Sequence, residues 1–307
     1  MFDTLIYTKA GEKGLINFLL KYAIIFRGEW NFEIPHLKMS EEKIVNETKS
    51  PNTISTLVND FKNLGIKSGM NLIVHSSLSS IGWVCGGAQS VIMALEEVLT
   101  ADGTLIMPSH SCNLSDPSHW GNPSVPENWW QTIKDEMPAF DKDLTPTCGM
   151  GIIAETFRKQ NGVVRSSHPS CSFTAWGKNK DYIISDNHYD FAQNDLSPIG
   201  RLNELDGFVL LLGVDYDKNT SLHLAEYRAD YKGKIIVPDG FPVIENGKKI
   251  WIEVKDILYN DEDFCEIGNA FEKNGKVIIG KVGNAVCKLM KQRELVDFAK
   301  DWMEKNR

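Results

Sequence analysis

One stretch carries the strongest signal for the fold: residues 70–111, MNLIVHSSLSSIGWVCGGAQSVIMALEEVLTADGTLIMPSHS. Its first eight residues predict a buried strand that ends in polar side chains, and residues 103–111 predict a second strand of the same kind. Between them, AQSVIMALEEVLT (88–100) predicts a helix. This order indicates a βαβ unit with parallel strands. Ligands of such sheets bind at the carboxyl ends of the strands, where both of these strands carry serine and histidine.

Further elements flank this unit on both sides. The apolar run FVLLLGV (208–214) predicts a strand that is buried on both faces. FPVIENGKKIWIEV (241–254) indicates a hairpin with its turn at Asn246-Gly247. Helices are predicted at residues 53–65, 151–160, 222–231 and 292–303. We therefore expect an α/β fold, a three-layer α/β/α sandwich with a mixed β-sheet and an added C-terminal hairpin and helix.

Residues 1–50 differ in character from the rest of the chain. Leu15–Phe26 is apolar but too short for a membrane span, and Lys21 interrupts it. The polar stretch that follows Met39, a second candidate start, has the composition of a tail or linker. We expect an N-terminal extension over residues 1–50 and one catalytic domain over residues 51–307. No secretory leader is evident, so a cytoplasmic protein is predicted.

The composition excludes several classes of protein. The chain has 307 residues with 33 Lys and Arg against 41 Asp and Glu, a net charge of −8. This acidic balance argues against nucleic-acid binding and suits a cationic small molecule. The six cysteines form no C-x-x-C, so neither a zinc cluster nor a disulfide framework is expected, and reduced thiols fit best. The P-loop pattern is absent, as is R/Q-x-x-G-x-G/A of the commonest N-acetyltransferase superfamily.

One spacing imitates a calcium site. Oxygen-bearing side chains from Asp215 to Glu226 fall at EF-hand positions 1, 3, 5, 7 and 12. Thr220 stands where that loop needs glycine for its sharp turn, and a predicted strand replaces the entering helix. We therefore reject calcium and predict no metal site.

The turn between the first strand and its helix has two interpretations. Its free backbone N–H groups and hydroxyls could hold a pyrophosphate or a thioester carbonyl. Serine and glycine are equally common as plain turn and cap formers, which on spacing alone is the more frequent case. The candidate binding residues are His75, Ser76, Ser77, Leu78, Ser79, Gly86 and Gly87.

His168 and Glu226 are the candidate catalytic residues. His168 precedes Pro169, so its backbone is held extended in a loop, and an imidazole can serve as a general base near neutral pH. A loop histidine is more often a simple surface residue, and this one needs a partner. Glu226, on the helix after a buried strand, could orient it. Alternatively, Glu226 pairs with His223 on the same helix face and does nothing more.

The chain is similar to the aminoglycoside 3-N-acetyltransferase family, which is structurally separate from the commoner superfamily. The resemblance runs from about Thr53 to about Trp302 and consists of eight blocks in one order. These blocks are VHSSLSSIGWVCGGAQSVIMAL, GTLIMPSHS, DPSHWGNPSVPENWW, MPAFDKDLTPTCGMGIIAETFR, VVRSSHPSCSFTAWG, SPIGRLNELDGFVLLLGV, NTSLHLAEYRA and KVGNAVCKLMKQRELVDFA.

The resemblance implies direct acetyl transfer from acetyl-CoA to the 3-amino group of a 2-deoxystreptamine ring. It implies His168 as the base, Glu226 as the group that orients the base or the amine, and the Ser76–Ser79 turn as the acetyl-CoA site. Asp116 and Trp120 match a block on the acceptor side, where a carboxylate and an aromatic face suit a polycation. As partners we expect this small molecule, no nucleic acid or membrane, and a monomer or homodimer.

Two other functions stay open at this point. The chain could acylate a different amine in biosynthesis, since residues 112–148 form a long loop that would select the acceptor. A Ser/His/Asp hydrolase with a nucleophile in the HSSLSS turn is a weaker alternative, because no G-x-S-x-G elbow is present.

Overall fold

The computed structural model describes residues 35–121, 123–185 and 188–307. Two units are distinguished with their boundary after Glu47, and of the first the structure describes only helix α1, Pro35–Glu47. The apolar run Leu15–Phe26 lies outside the described residues. Within those ranges, no helix combines the length and the apolar character that crossing a membrane requires.

The second unit, residues 48–307, is built on a mixed sheet of seven described strands in the order β3-β4-β2-β1-β5-β9-β8. β1 is parallel to β2 and to β5, and β4 and β9 continue the sheet antiparallel on either side. β6 and β7 form a separate two-stranded hairpin. The predicted α/β sandwich with a mixed sheet and an added hairpin is therefore confirmed. The strands are β1 Asn71–Ser76, β2 Thr104–Pro108, β3 Val164–Arg165, β4 Phe173–Gly177, β5 Phe208–Leu212, β6 Ile236–Glu245, β7 Lys248–Ile257, β8 Val277–Val282 and β9 Ala285–Lys291.

Helices cover both faces of this sheet because its central strands are apolar on both sides. In β5, Leu210 and Leu212 face one helical layer while Val209 and Leu211 face the other, the alternation that a strand imposes. The first layer contains α2, α3 and α5, and the second contains α7 to α10. The helices are α2 Ile54–Leu64, α3 Gly87–Leu99, α4 Trp130–Glu136, α5 Gly151–Phe157, α6 Lys180–Ile183, α7 Pro198–Glu204, α8 Ser221–Arg228, α9 Phe264–Glu272 and α10 Gln292–Asn306.

Arg165 holds the long segment 112–148 against the sheet. Its guanidinium donates to the backbone carbonyls of Lys142 and Thr145 in that segment. The same group donates to the Ser109 carbonyl and the Ser111 hydroxyl, just beyond β2. Burial and the nearby Arg158 lower the pKa of Arg165 to about 10, so it stays charged near neutral pH. The segment is thus tied to the carboxyl end of β2.

The carboxyl ends of β1 and β2 each place a histidine in the interior. His75 is the fifth residue of β1, and His110 follows β2 by two residues; both side chains are buried. Burial first, and then the charge of a protonated His223, lower the pKa of each to about 3. Both rings are therefore neutral in the folded protein at neutral pH.

We expect Gly268→Ala to destabilise the protein. A Cβ on Gly268 of α9 would lie 2.0 Å from Cγ of the buried Tyr216 ring, so the helix or the ring must shift. The expected loss in unfolding free energy is about 1–3 kcal/mol, measured by urea unfolding. Gly121→Ala is the matched control, because a Cβ there meets no atom within 4 Å. Equal stability of the two variants would contradict the packing described.

The buried histidines predict a loss of stability in acid. Unfolded, His75 and His110 bind protons near pH 6.5, whereas folded they do so only near pH 3. Between these values the unfolded chain binds more protons, so the free energy of unfolding falls as the pH drops through this window. In His110→Gln that slope should be smaller by up to about 1.4 kcal/mol per pH unit, measured by urea unfolding from pH 7 to 4.5. A slope equal to that of the parent protein would show that His110 is not the group involved.

Candidate active site

Helix α8 presents a histidine–carboxylate pair. His223 and Glu226 are three residues apart and so lie on one helix face, with Nδ1 of His223 2.6 Å from Oε2 of Glu226. An ionised carboxylate only accepts hydrogen bonds, so Nδ1 carries the proton and Nε2 is left as an acceptor. Nε2 makes no hydrogen bond with a described residue, and the side chain is 15% exposed. The pair therefore offers a proton acceptor to a ligand.

Glu226 is fully buried and has two further partners. Its Oε1 accepts from the backbone N–H of Asn260 at 3.0 Å and from Nη1 of Arg307 at 2.8 Å. A buried carboxylate needs such donors because it has lost its hydration. These bonds hold the carboxylate in place and leave Oε2 for His223.

His168 forms hydrogen bonds with other residues than this pair. Its Nδ1 accepts from the backbone N–H of Cys171 at 3.0 Å, so Nε2 carries the proton and points at the Tyr189 carbonyl at 3.2 Å. The ring is 2% exposed and packs on Phe241, with centroids 5.0 Å apart. The histidine that Glu226 binds is His223 and not, as expected from the sequence, His168, because helical spacing already holds Glu226 and His223 together.

Four imidazoles gather at this edge of the sheet. The pKa of His110 is lowered first by burial and then by the charges that His223, His75 and His168 carry when protonated. Neither ring nitrogen of His110 makes a hydrogen bond with a described residue. The Ser172 backbone opposes the lowering of the His110 pKa, although it forms no hydrogen bond with the ring. Since His75 and His110 stay neutral, they add little charge beside His223.

A carboxylate with two tyrosines borders the pair. Asp256, the penultimate residue of β7, accepts from the hydroxyls of Tyr227 and Tyr259, the latter at 2.8 Å. Burial raises the pKa of Asp256, while both tyrosines and nearby backbone N–H groups oppose the shift. The Tyr259 ring packs on His223 with centroids 4.7 Å apart. A second buried acidic group thus lies close to the candidate base.

The turn after β1 has the strand-to-helix geometry expected of it. The Ser77 amide donates to the Leu212 carbonyl at 3.0 Å, which fixes the turn beside β5. Gly86, the N-cap of α3, and Gly87, its first residue, both have positive φ. A Cβ on Gly86 would meet the Ser90 hydroxyl at 2.4 Å. Space beside Gly87 is open, so a ligand can approach the backbone there.

The serines of this turn are not paired with a base. The Ser77 and Ser79 hydroxyls lie 3.2 Å apart. The Ser80 hydroxyl donates to the Gly213 carbonyl at 2.9 Å and lies 3.0 Å from the Ser77 hydroxyl. Within the described residues none of these hydroxyls meets a histidine. This geometry gives no support to a serine nucleophile.

Asp116 and Trp120 lie in the long segment but are bonded locally. The Asp116 carboxylate caps the turn Pro117–His119 through Ser118 and binds Lys134 at 2.5 Å. Burial raises its pKa, but Lys134 and Ser118 outweigh that effect and lower it. Nε1 of Trp120 donates to the Ser115 hydroxyl at 3.0 Å.

Asp239 of β6 joins the long segment to the hairpin. Its carboxylate accepts from the Asp116 amide at 3.0 Å and lies 3.8 Å from Nδ1 of His119, with 23% of the side chain exposed. Unlike the Asp116 carboxylate, it binds no lysine or arginine side chain in the described part of the chain. Asp239 is therefore the more available negative charge.

A cavity of about 450 Å³ is lined by residues that include Tyr227, Tyr231, Asp195, Asp230 and Lys234. Arg228 binds Asp195 at 2.5 Å, and the Lys234 ammonium donates to the carbonyls of Tyr227 and Ala229 at the end of α8. Because these contacts compensate most of the charges in its lining, the cavity gives no sign of a charged ligand. In the described residues no group of three or more His, Cys, Asp or Glu side chains is arranged to hold a metal ion.

Sequence reasoning missed Asp256, Tyr259, Asn260 and Arg307. They follow Glu226 by 30 to 81 positions, and no local pattern links them to α8. In the sequence, the three-residue spacing of His223 and Glu226 indicates a pair on one helix face. Only the fold shows that this pair borders the turn and the other histidines.

Known proteins similar to this chain agree on one family. The model of aminoglycoside 3-N-acetyltransferases matches residues 73–304. The SPbeta prophage-derived aminoglycoside N(3′)-acetyltransferase-like protein YokD of Bacillus subtilis is 48% identical over 266 residues, covering 86% of this chain and 97% of the relative. Aminoglycoside N(3)-acetyltransferase IX of Micromonospora chalcea is 32% identical over 279 residues, covering 87% and 98%.

Solved structures agree with this relationship. The crystal structure of YokD has a TM-score of 0.84 at 48% identity, covering 86% of this chain and 98% of that one. AAC-VIa bound to sisomicin has a TM-score of 0.77 at 28% identity, with 84% and 99% covered. AAC-IIIb in a binary complex with CoASH has a TM-score of 0.75 at 26% identity, with 83% and 97% covered. The chain therefore belongs to the aminoglycoside 3-N-acetyltransferase family.

Proposed function

We propose that the protein transfers the acetyl group of acetyl-CoA to the 3-amino group of a 2-deoxystreptamine aminoglycoside. The His223–Glu226 pair carries this proposal, because an amine must lose a proton to attack a thioester. The related structures with CoASH and with sisomicin support the two substrates. The net charge of −8 suits a polycationic acceptor.

We assign the general base to His223 in place of His168. The ammonium group of the acceptor first loses one proton to water. The resulting amine attacks the acetyl carbonyl while Nε2 of His223 takes a second proton from its nitrogen. The tetrahedral intermediate then expels the CoA thiolate, which recovers that proton from the imidazolium. Glu226 holds Nδ1–H and stabilises the transient positive charge. His168 has both nitrogens engaged with backbone groups, so we assign it a positioning role.

Acetyl-CoA would lie along the turn His75–Ser79 and the start of α3. The Ser77 amide is already bonded, so the amides of Leu78 and Ser79, which open the turn Ser79–Ile81, are the donors for the developing oxyanion. The first N–H groups of a helical turn have no acceptor within it. The open backbone at Gly87 leaves room for a phosphate or the pantetheine chain.

The acceptor would bind between the long segment and the hairpin. Asp239 and Asp256 supply negative charge there, and Tyr259 supplies an aromatic face for an ammonium group. Asp116 shapes this region through its bond to the turn Pro117–His119, since Lys134 already neutralises its carboxylate. Trp120 stays a candidate contact from the same segment.

A panel of amines tests the reaction itself. Purified protein with acetyl-CoA and 2-deoxystreptamine aminoglycosides should release free thiol and give a product heavier by one acetyl group, with NMR placing the acetyl on N3. Release with other amines but with no aminoglycoside would instead favour a biosynthetic acyltransferase. An acetyl-serine trapped by mass spectrometry would contradict direct transfer.

Paired variants test the choice of base. His223→Gln should lower kcat by about 10²–10⁴-fold, because the proton acceptor is gone, while acetyl-CoA binding measured by calorimetry stays within a factor of about three. His168→Gln should cost about tenfold or less in kcat, together with a lower melting temperature. The reverse ranking in kcat would return the general base to His168.

A further inference from the structure

Arg307, at the end of α10, binds residues of α8 and of the segment that follows β7. From the end of α10, its guanidinium donates to Oε1 of Glu226 and to both carboxylate oxygens of Asp263. It also donates to the Asn260 carbonyl and stacks on the Tyr231 ring at 4.9 Å. Only 7% of the side chain is exposed, so this charge acts with little screening by water.

The charge of Arg307 affects His223 because both side chains bind the carboxylate of Glu226. One carboxylate oxygen binds Arg307, and the other binds His223 whenever that ring is protonated. Arg307 is permanently charged, so its charge offsets part of the attraction that Glu226 exerts on a protonated His223. This disfavours the imidazolium form of His223. The same bonds also fix where the carboxylate lies.

The other groups around His223 add few competing charges. Tyr259 packs on the ring, and its pKa is raised by burial, so its hydroxyl stays neutral; the Phe264 ring of α9 carries no charge. His75 and His110 stay neutral near neutral pH. Among the described residues, other charges near the pair are those of Asp256, which accepts from Tyr259, and of Asp263, which pairs with Arg307. Lys234 adds a cation that also interacts with Glu226, and its ammonium donates to the carbonyls of Tyr227 and Ala229.

We propose that Arg307 is a positioning residue that keeps the His223–Glu226 pair in its proton-accepting form at neutral pH. It orients the carboxylate and opposes protonation of His223. A catalytic consequence rests on the function proposed above; the effect on protonation does not. Asp263 moderates the effect, because its negative charge offsets part of the Arg307 charge.

The direction of the effect follows from the charges. Without Arg307, Glu226 attracts the imidazolium unopposed, so His223 takes up its proton at a higher pH. Without the carboxylate of Asp263, the full charge of Arg307 acts on the pair, so His223 takes up its proton at a lower pH. A role in packing alone produces no such pair of opposite shifts.

The first experiment measures protonation without any substrate. The protein is labelled with ¹³C and ¹⁵N at its seven histidines, and the His223 signal is assigned by its loss in His223→Gln. In Arg307→Gln the titration midpoint of His223 should move to higher pH, and in Asp263→Asn it should move to lower pH. Arg307→Lys keeps the charge and should stay near the parent midpoint.

A matched control removes the same charge from elsewhere on α10. Arg293 pairs with Asp206 and is about half exposed, so Arg293→Gln should leave the His223 midpoint unchanged. An unchanged midpoint in Arg307→Gln, or a shift of equal size in Arg293→Gln, overturns the proposal. If Arg307→Gln does not fold, Asp263→Asn decides alone: an unchanged or raised midpoint rejects the idea.

The second experiment asks whether the enzyme uses this effect. The acid limb of the kcat/KM profile should move to higher pH in Arg307→Gln, so that activity falls more at pH 6 than at pH 8. A merely structural role would lower activity equally at both values. If no acetylation occurs with any acceptor, the function proposed above fails, while the NMR titration still judges the role of Arg307.

Discussion

The buried carboxylate of Glu226 is the constraint on which the site depends. Leaving water costs an ionised group several kcal/mol, so it must find donors in the interior. It finds them in three places: the imidazole of His223 on its own helix, the amide of Asn260 after β7, and the guanidinium of Arg307 after α10. The pairing of one charge therefore fixes how α8, the segment after β7 and the end of α10 meet. The imidazole that it orients is the general base that we propose.

The topology of the sheet explains why the four histidines gather. β1 and β2 are parallel, so His75 and His110 come to the same edge. β4 is antiparallel to β2, so the residues that precede β4, His168 among them, start from that edge. The ladder continues past both strands, with the Ser111 amide donating to the Ser170 carbonyl. His223 arrives from the helix after β5, which is parallel to β1.

Much of the fold could be predicted because its signals are local. FVLLL is apolar at every position, and a strand with both faces covered needs that pattern. β8 and β9 were not predicted, since several of their residues, such as Ile278 and Val286, are exposed and the strands carry lysines. The turn after β1 was recognised as a candidate ligand site, but its local pattern did not separate that role from a plain cap.

The sequence by itself determined the family pattern, the alternation that buries the central strands and the i, i+3 spacing of His223 and Glu226. Each of these depends on neighbours within a few residues, or on the order of blocks along the chain. Only the tertiary structure decided which histidine Glu226 binds, that Lys134 neutralises Asp116, and that Arg307 reaches the pair. The last two contacts join residues 18 and 81 positions apart. Burial selects them, because a charge removed from water must bind whichever partner the fold brings within reach.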